Sequence, residues 1–129
     1  MTDVSVVIAT RNQAERLRLV LCGLSVQTMP ADCFEVIVVD DGCTDATPAL
    51  LAESRYPWLR VVRLPGHAGR CLARNQGLAA ARGELVVFLD GDALPMPDLL
   101  SSYWAAYRQY GQKAVLSGLQ HVLAGLDYL

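Results

Sequence analysis

The sequence predicts an α/β protein: a mostly parallel sheet with helices on both faces, stacked in three layers. Two observations carry this. Short apolar, β-branched runs alternate with segments of helical periodicity along the chain, the pattern of strands joined by helical, right-handed crossovers. Two of those runs, Phe34–Val39 and Glu84–Leu89, end abruptly in aspartates, which places carboxylates at the carboxyl edge where such sheets bind ligands. Glu84–Leu89 shows almost no alternation and is expected to be a strand covered on both faces.

Val4–Ala9 reads as the first strand, rich in β-branched residues and closed by the polar cluster Thr10, Arg11 and Asn12. Leu17, Val20, Leu21 and Leu24 follow helical spacing and predict a helix over 14–26, ending before Pro30. Phe34–Val39 is the second strand and leads into Asp40, Asp41 and Gly42. Thr44 or Asp45 is expected to cap a short helix that tolerates Pro48 in its first turn and stops at Tyr56 and Pro57. Leu59–Leu64 alternates with Arg60 and Arg63, so a third, less buried strand is expected there. After the loop 65–69 a helix is predicted over 70–82, with Gly83 as its C-terminal stop. Past the strand at 84–89, Pro95 and Pro97 hold an extended turn, and a helix over 98–110 presents Leu99, Leu100, Tyr103, Trp104 and Tyr107 to the sheet. A last strand is expected over 114–118. The apolar tail 120–129 then follows without a closing element, which suggests a cut through a larger protein.

A chain of 129 residues, 53% hydrophobic and 19% charged, is about one domain with a packed core. A net charge of -2 leaves no basic footprint for nucleic acid. Cys22, Cys33, Cys43 and Cys71 show no Cys-x-x-Cys spacing, so free thiols in a reducing compartment are expected and not a zinc site. The amino terminus lacks the basic flank and apolar core of a signal peptide, and no stretch reaches a membrane span. A cytoplasmic location is the expectation.

Asp90-Gly91-Asp92 directly after the strand at 84–89 is the motif with most chemical content. Alone it is weak, because Asp and Gly also favour plain turns. Beyond a buried strand, however, hard carboxylate ligands suit Mg²⁺ or Mn²⁺, and Mg²⁺ commonly takes one or two carboxylates plus substrate phosphates. His67 is expected to be solvated, His121 a surface or packing residue, and Cys71 inert. The loop 66–69 lacks the Lys-Ser/Thr of a P-loop.

Four stretches together resemble family 2 glycosyltransferases, the nucleotide-sugar-dependent enzymes of GT-A fold. They are Val4–Asn12, Val38–Asp45, Ala73–Leu78 and Gly83–Asp92, in the family's order and at its intervals. The resemblance implies a Rossmann-like GT-A sheet, with residues 1–129 forming the donor-binding part. It implies that Thr10 and Asp41 hold the nucleotide base and ribose. Asp90 and Asp92 look like the Asp-x-Asp motif, Asp90 reaching the ribose or a metal-bound water and Asp92 ligating the Mn²⁺ or Mg²⁺ on the diphosphate. Arg70 or Arg74, beside Asn75, would meet phosphate or position the base; Arg11, Asn12, Gly42 and Gly91 complete the expected nucleotide-sugar-binding set. A UDP-sugar is the commonest donor in the family, and a saccharide or lipid-linked acceptor would receive the sugar with inversion. Three departures are visible: Gly91 and Ala93 in and after the Asp-x-Asp motif, Cys43 in place of serine or asparagine, and Arg11 in place of an aromatic.

The family's general base belongs to the part of the domain beyond residue 118. Asp127 is the only acid after Asp98, and it lacks the surrounding motif, so this chain is expected to bind donor without being a competent catalyst. The alternative is a non-catalytic nucleotide-binding or assembly module with the apolar tail as its interface. A nucleotidyltransferase would carry a glycine-rich, lysine-bearing loop after the first strand, which Thr10-Arg11-Asn12 does not provide. An open sheet edge and the tail make a homodimer an expectation as well.

Overall fold

The computed structural model describes residues 2–111 and 116–118. Four parallel strands form one sheet: β1 (Val4–Thr10), β2 (Phe34–Asp40), β3 (Leu59–Arg63) and β4 (Leu85–Phe88), in the spatial order β3-β2-β1-β4. They alternate with α1 (Ala14–Ser25), α2 (Thr47–Glu53), α3 (Arg70–Ala80) and α4 (Leu99–Tyr110).

Strand periodicity divides the core into two layers. Val4, Val6 and Ile8 of β1, with Phe34, Val36 and Val38 of β2, pack with Leu17, Val20, Leu21 and Leu24 of α1, Leu51 of α2 and Leu100 of α4. The opposite face carries Ile37 and Val39, covered by Ala73 of α3. Small residues let α3 lie close: a Cβ on Gly77 would come within 2.3 Å of Val7 Cγ1. Tyr103 and Trp104 of α4 pack against the larger cluster, as their helical spacing suggested.

The chain moves outward from β1 through α1 to β2 and through α2 to β3, then crosses on the other face through α3 to β4. The winding direction reverses between β1 and β4, and a crevice opens there beyond the strand tips. That reversal positions the candidate site.

Two expectations need correction, and a third falls largely outside the described residues. β4 is an edge strand among the described residues, and only Val87 of it is buried while Phe88 is 49% exposed; the strands covered on both faces are β1 and β2. An apolar run records composition, whereas burial on a second face depends on which strand lies alongside. Helix α3 ends at Ala80, two residues early, and Gly83 has no left-handed φ. Its small size is what matters, since a Cβ there would lie 2.6 Å from the Ser5 nitrogen. Residues 114 and 115 of the expected last strand, and the tail from 119, lie outside the described residues, and 116–118 carry no strand pairing.

The stop of α3 is made by a buried polar cluster. Glu35, 6% exposed in the middle of the apolar β2 sequence, accepts hydrogen bonds from Ser5 Oγ (2.7 Å), Arg60 Nη1 (2.7 Å) and the Arg82 amide (2.8 Å). Ser5 Oγ in turn accepts the Gly83 amide at 2.7 Å. Burial opposes ionisation of Glu35, but these donors outweigh it and hold the carboxyl below its ordinary value.

Candidate functional site

At the carboxyl edge the loops are tied to one another by side-chain to backbone bonds. Asp40, almost fully buried, accepts the Cys43 amide at 2.8 Å and lies 3.3 Å from Arg63 Nε. Asn12, at a positive φ of 53°, accepts the amides of Thr44 (2.8 Å) and Asp45 (3.2 Å). Asp45 then serves two helices: Oδ1 accepts the Thr47 amide at 2.9 Å and Oδ2 the Ala14 amide at 3.2 Å. Neither expected cap residue is the N-cap of α2, which is Ala46 without a side-chain cap bond; Asp45 accepts the Thr47 amide from one residue earlier, and Thr44 bonds Asn12. Burial raises the Asp45 pKa less than these donors lower it, so its carboxyl is held below the ordinary range.

Asp41 does the same for the β3–α3 loop. Its side chain is 5% exposed; Oδ1 accepts the Ala68 amide at 2.7 Å, Oδ2 accepts the Gly69 amide at 3.1 Å, and His67 Nδ1 lies 2.9 Å from Oδ2. Burial pushes the carboxyl up, and the Ala68, Gly69 and His67 donors more than reverse it. His67 is half solvated, as expected, but on one side it is a partner of Asp41. Gly42 is required beside it: with φ 71°, a Cβ would meet the His67 nitrogen at 2.6 Å. Asp41 thus sets the entry of α3, on which Arg70 and Arg74 ride.

A cleft of about 130 Å³ lies at the reversal between β1 and β4, lined by Ala9, Gln13, Arg70, Arg74, Leu89, Asp90, Gly91 and Asp92. Five of the expected residues therefore share it. Arg74 Nη2 donates to Asp90 Oδ1 at 3.0 Å, whereas Arg70 is exposed and has no ion pair among the described residues. Thr10 lies directly beneath: its hydroxyl is buried without a hydrogen-bond partner among the described residues, 3.4 Å from where a Cβ on Gly91 would stand. Gly91 is itself buried, and Gln13 Oε1 would be 3.1 Å from that Cβ. Arg11 and Asn75 are exposed and do not line the cleft; Asn12 and Gly42 shape the neighbouring loops.

Two further residues were not evident from the sequence. Gln13 faces the Asp-Gly-Asp loop, and Arg16, one turn into α1, places Nη1 3.9 Å from Asp92 Oδ2. A polar residue and a cation near a helix start read as solvated positions; only their three-residue spacing, which puts them on one helix face, was a signal.

The donor set suits a divalent cation shared with a ligand. Asp90 and Asp92 have side chains 53% and 47% exposed, open to a cation and to further oxygens. Among the described residues no group of three or more His, Cys, Asp or Glu could hold a metal, so phosphate oxygens and water would have to complete the sphere. Among those residues no helix is long and apolar enough to cross a membrane, and all four cysteines are free thiols.

Comparison with known proteins places the chain in a family. Residues 5–126 match the model of glycosyl transferase family 2. The succinoglycan biosynthesis protein ExoO of Rhizobium meliloti is 36% identical over 97% of this chain and 33% of its own length. A beta-monoglucosyldiacylglycerol synthase of Synechocystis is 38% identical over 76% of this chain and 21% of its own. Among solved structures, S. aureus TarS 1-349 in complex with UDP-GlcNAc superposes with a TM-score of 0.79 at 31% identity, covering 84% of this chain and 32% of that one. The mannosyltransferase PcManGT of Pyrobaculum calidifontis, in complex with GDP-Man and Mn²⁺, gives 0.72 at 36% identity, covering 80% and 32%. The chain spans about a third or less of the length of these relatives. Motif order, sheet topology and the family match converge, and the chain belongs to glycosyl transferase family 2, with the GT-A fold.

Proposed function

We propose that this chain forms the donor-binding part of a glycosyltransferase, holding a nucleoside diphosphate sugar between β1 and β4. The observation that carries the reading is the cleft at the topological reversal, where Arg70, Arg74, Asp90 and Asp92 meet above the buried Thr10 hydroxyl. Arg74 is engaged by Asp90, so Arg70 is the better phosphate ligand; a guanidinium suits phosphate because it presents paired donors. Thr10 and the Asp41 loop would face the nucleoside. Asp41 retains acceptor capacity beside its loop bonds, since two carboxylate oxygens offer about four lone-pair sites.

Asp92, with Asp90, would hold Mn²⁺ or Mg²⁺, which supplies stabilisation for negative charge on a departing diphosphate. The chain's own residues bind the diphosphate, orient it through Arg70 and Arg74, and keep both carboxylates facing it. Transfer to a saccharide or lipid-linked acceptor with inversion would draw its general base from sequence beyond this chain. UDP is the leading donor nucleotide, supported by TarS with UDP-GlcNAc, while PcManGT with GDP-Man keeps GDP as the comparison.

Calorimetric titration with UDP, GDP, CDP and dTDP, with and without Mn²⁺, tests the reading. Metal-dependent binding of one nucleotide, lost in Asp92→Ala, is the expected result. A folded chain that binds none of the four would refute the donor site in this chain and favour an assembly role.

A further inference from the structure

Each carboxylate of the Asp-Gly-Asp loop faces an arginine from a different helix. Arg74 of α3 holds Asp90 at 3.0 Å, and Arg16 of α1 stands 3.9 Å from Asp92. Arg70 adds a third guanidinium to the cleft. Three cationic groups around two carboxylates leave the site positive overall, attractive to a diphosphate and unattractive to a bare divalent cation.

We infer that Arg16 restrains metal uptake: it faces Asp92 in the nucleotide-free site and makes cation binding more dependent on the diphosphate. The inference rests on the donor-site reading above and adds a residue that the family motif does not contain. A cation arriving alone must displace a guanidinium from Asp92 and sit beside it, with only Asp90 and Asp92 as protein acids. A cation arriving with a diphosphate gains phosphate oxygens, and Arg16 gains a second anion to face. By linkage, the factor by which nucleotide strengthens metal binding equals the factor by which metal strengthens nucleotide binding. Removing Arg16 lowers that factor by strengthening the metal-alone state.

The geometry supports a specific role for this arginine over general surface charge. The buried, side-chain-free Gly91 lets the start of α1 approach the loop, with Gln13 against Gly91 and Arg16 against Asp92. Arg18, two residues on, points elsewhere and pairs with Glu15 at 3.6 Å. It is the natural control.

The test is Mn²⁺ titration followed by electron paramagnetic resonance, alone and with UDP, on the wild type, Arg16→Ala, Arg16→Lys, Arg18→Ala and Asp92→Ala. An exposed ion pair is worth a factor of up to about five, and repulsion between a guanidinium and a divalent ion adds to it. Arg16→Ala should therefore bind Mn²⁺ alone about three- to tenfold more tightly, and the enhancement of Mn²⁺ binding by UDP should shrink by a similar factor. Arg16→Lys and Arg18→Ala should stay within about twofold of wild type on the same grounds. Arg16→Ala no tighter for Mn²⁺ alone than wild type, with binding still lost in Asp92→Ala, would overturn the role of Arg16 and leave the donor site standing. Mn²⁺ binding unchanged in Asp92→Ala would overturn the metal site on which both rest.

Discussion

Replacing Asp41 with asparagine should cost stability before it costs specificity. The carboxylate is nearly fully buried and accepts two backbone amides at 2.7 and 3.1 Å, with His67 at 2.9 Å. Hydrogen bonds to a charged acceptor contribute about 1.5–3 kcal/mol each, and a buried amide left without a partner costs about 1–3 kcal/mol. The asparagine oxygen can keep one or two of the donors, while its NH₂ group faces the other and repels it. The expected net loss is about 2–4 kcal/mol, read at pH 7 as a urea midpoint lowered by about 1–2 M for a slope of about 2 kcal/mol/M. The Asp41 pKa in the folded state is below its ordinary value of 3.8. Its contribution is therefore complete above that ordinary value and lost as pH falls through the lower folded value. The gap between wild type and Asp41→Asn should stay constant from neutral pH to about pH 5 and narrow below about pH 4. A loss under about 0.5 kcal/mol, or a gap that does not change on acidification, would refute the view that this carboxylate holds the β3–α3 loop.

Gly42→Ala should destabilise the chain by roughly 2–4 kcal/mol, because strain at a left-handed φ of 71° adds to a Cβ contact with the loop backbone; a thermal melt unchanged from wild type would contradict this. Glu35→Ala leaves Ser5 and the Arg82 amide without their acceptor and Arg60 with only the Ala80 carbonyl, and should cost about 3–5 kcal/mol, yet calorimetry below the melting temperature should find UDP affinity unchanged, since Glu35 lies near the start of β2, away from the cleft. Arg70→Ala should leave stability within about 0.5 kcal/mol and weaken UDP binding about tenfold by loss of one charge-assisted contact. That deficit should diminish at high ionic strength.

The strands were readable where local chemistry alone decides them. Val4–Ala9 and Phe34–Val39 are β-branched, short and bounded by polar clusters, and both are strands of the expected parallel sheet, Val4 pairing with Phe34 through Thr10 with Asp40. Helix α1 was readable from four apolar residues on one face, all of them buried. What remained hidden depends on long-range neighbours. Whether Phe88 is covered is decided by what lies beside β4, not by the residues of β4. Glu35 was a missed signal: a lone acid inside an apolar strand, on the face opposite Phe34, Val36 and Val38, must find partners if it is buried. Ser5 on the adjacent strand, in register with it, was the visible candidate. Arg16 could not be singled out, because nothing local distinguishes it from the solvated Arg18.

The site is built with unequal firmness, and the inequality suits its proposed work. In the loops after β1, β2 and β3, which the proposal assigns to the nucleoside, Asn12, Asp40, Asp41 and Asp45 tie loop to loop through backbone amides, each bond adding to the others because each fixes the chain for the next. On the side the proposal assigns to the phosphates, the Asp90 and Asp92 side chains are each about half exposed and each face an arginine. Pairs of that kind contribute little stability and exchange partners readily. A rigid wall favours discrimination between bases, since a mismatched edge cannot be accommodated by movement. A changeable charge lattice favours a ligand whose charge alters as the diphosphate departs, because the arginines can follow that charge.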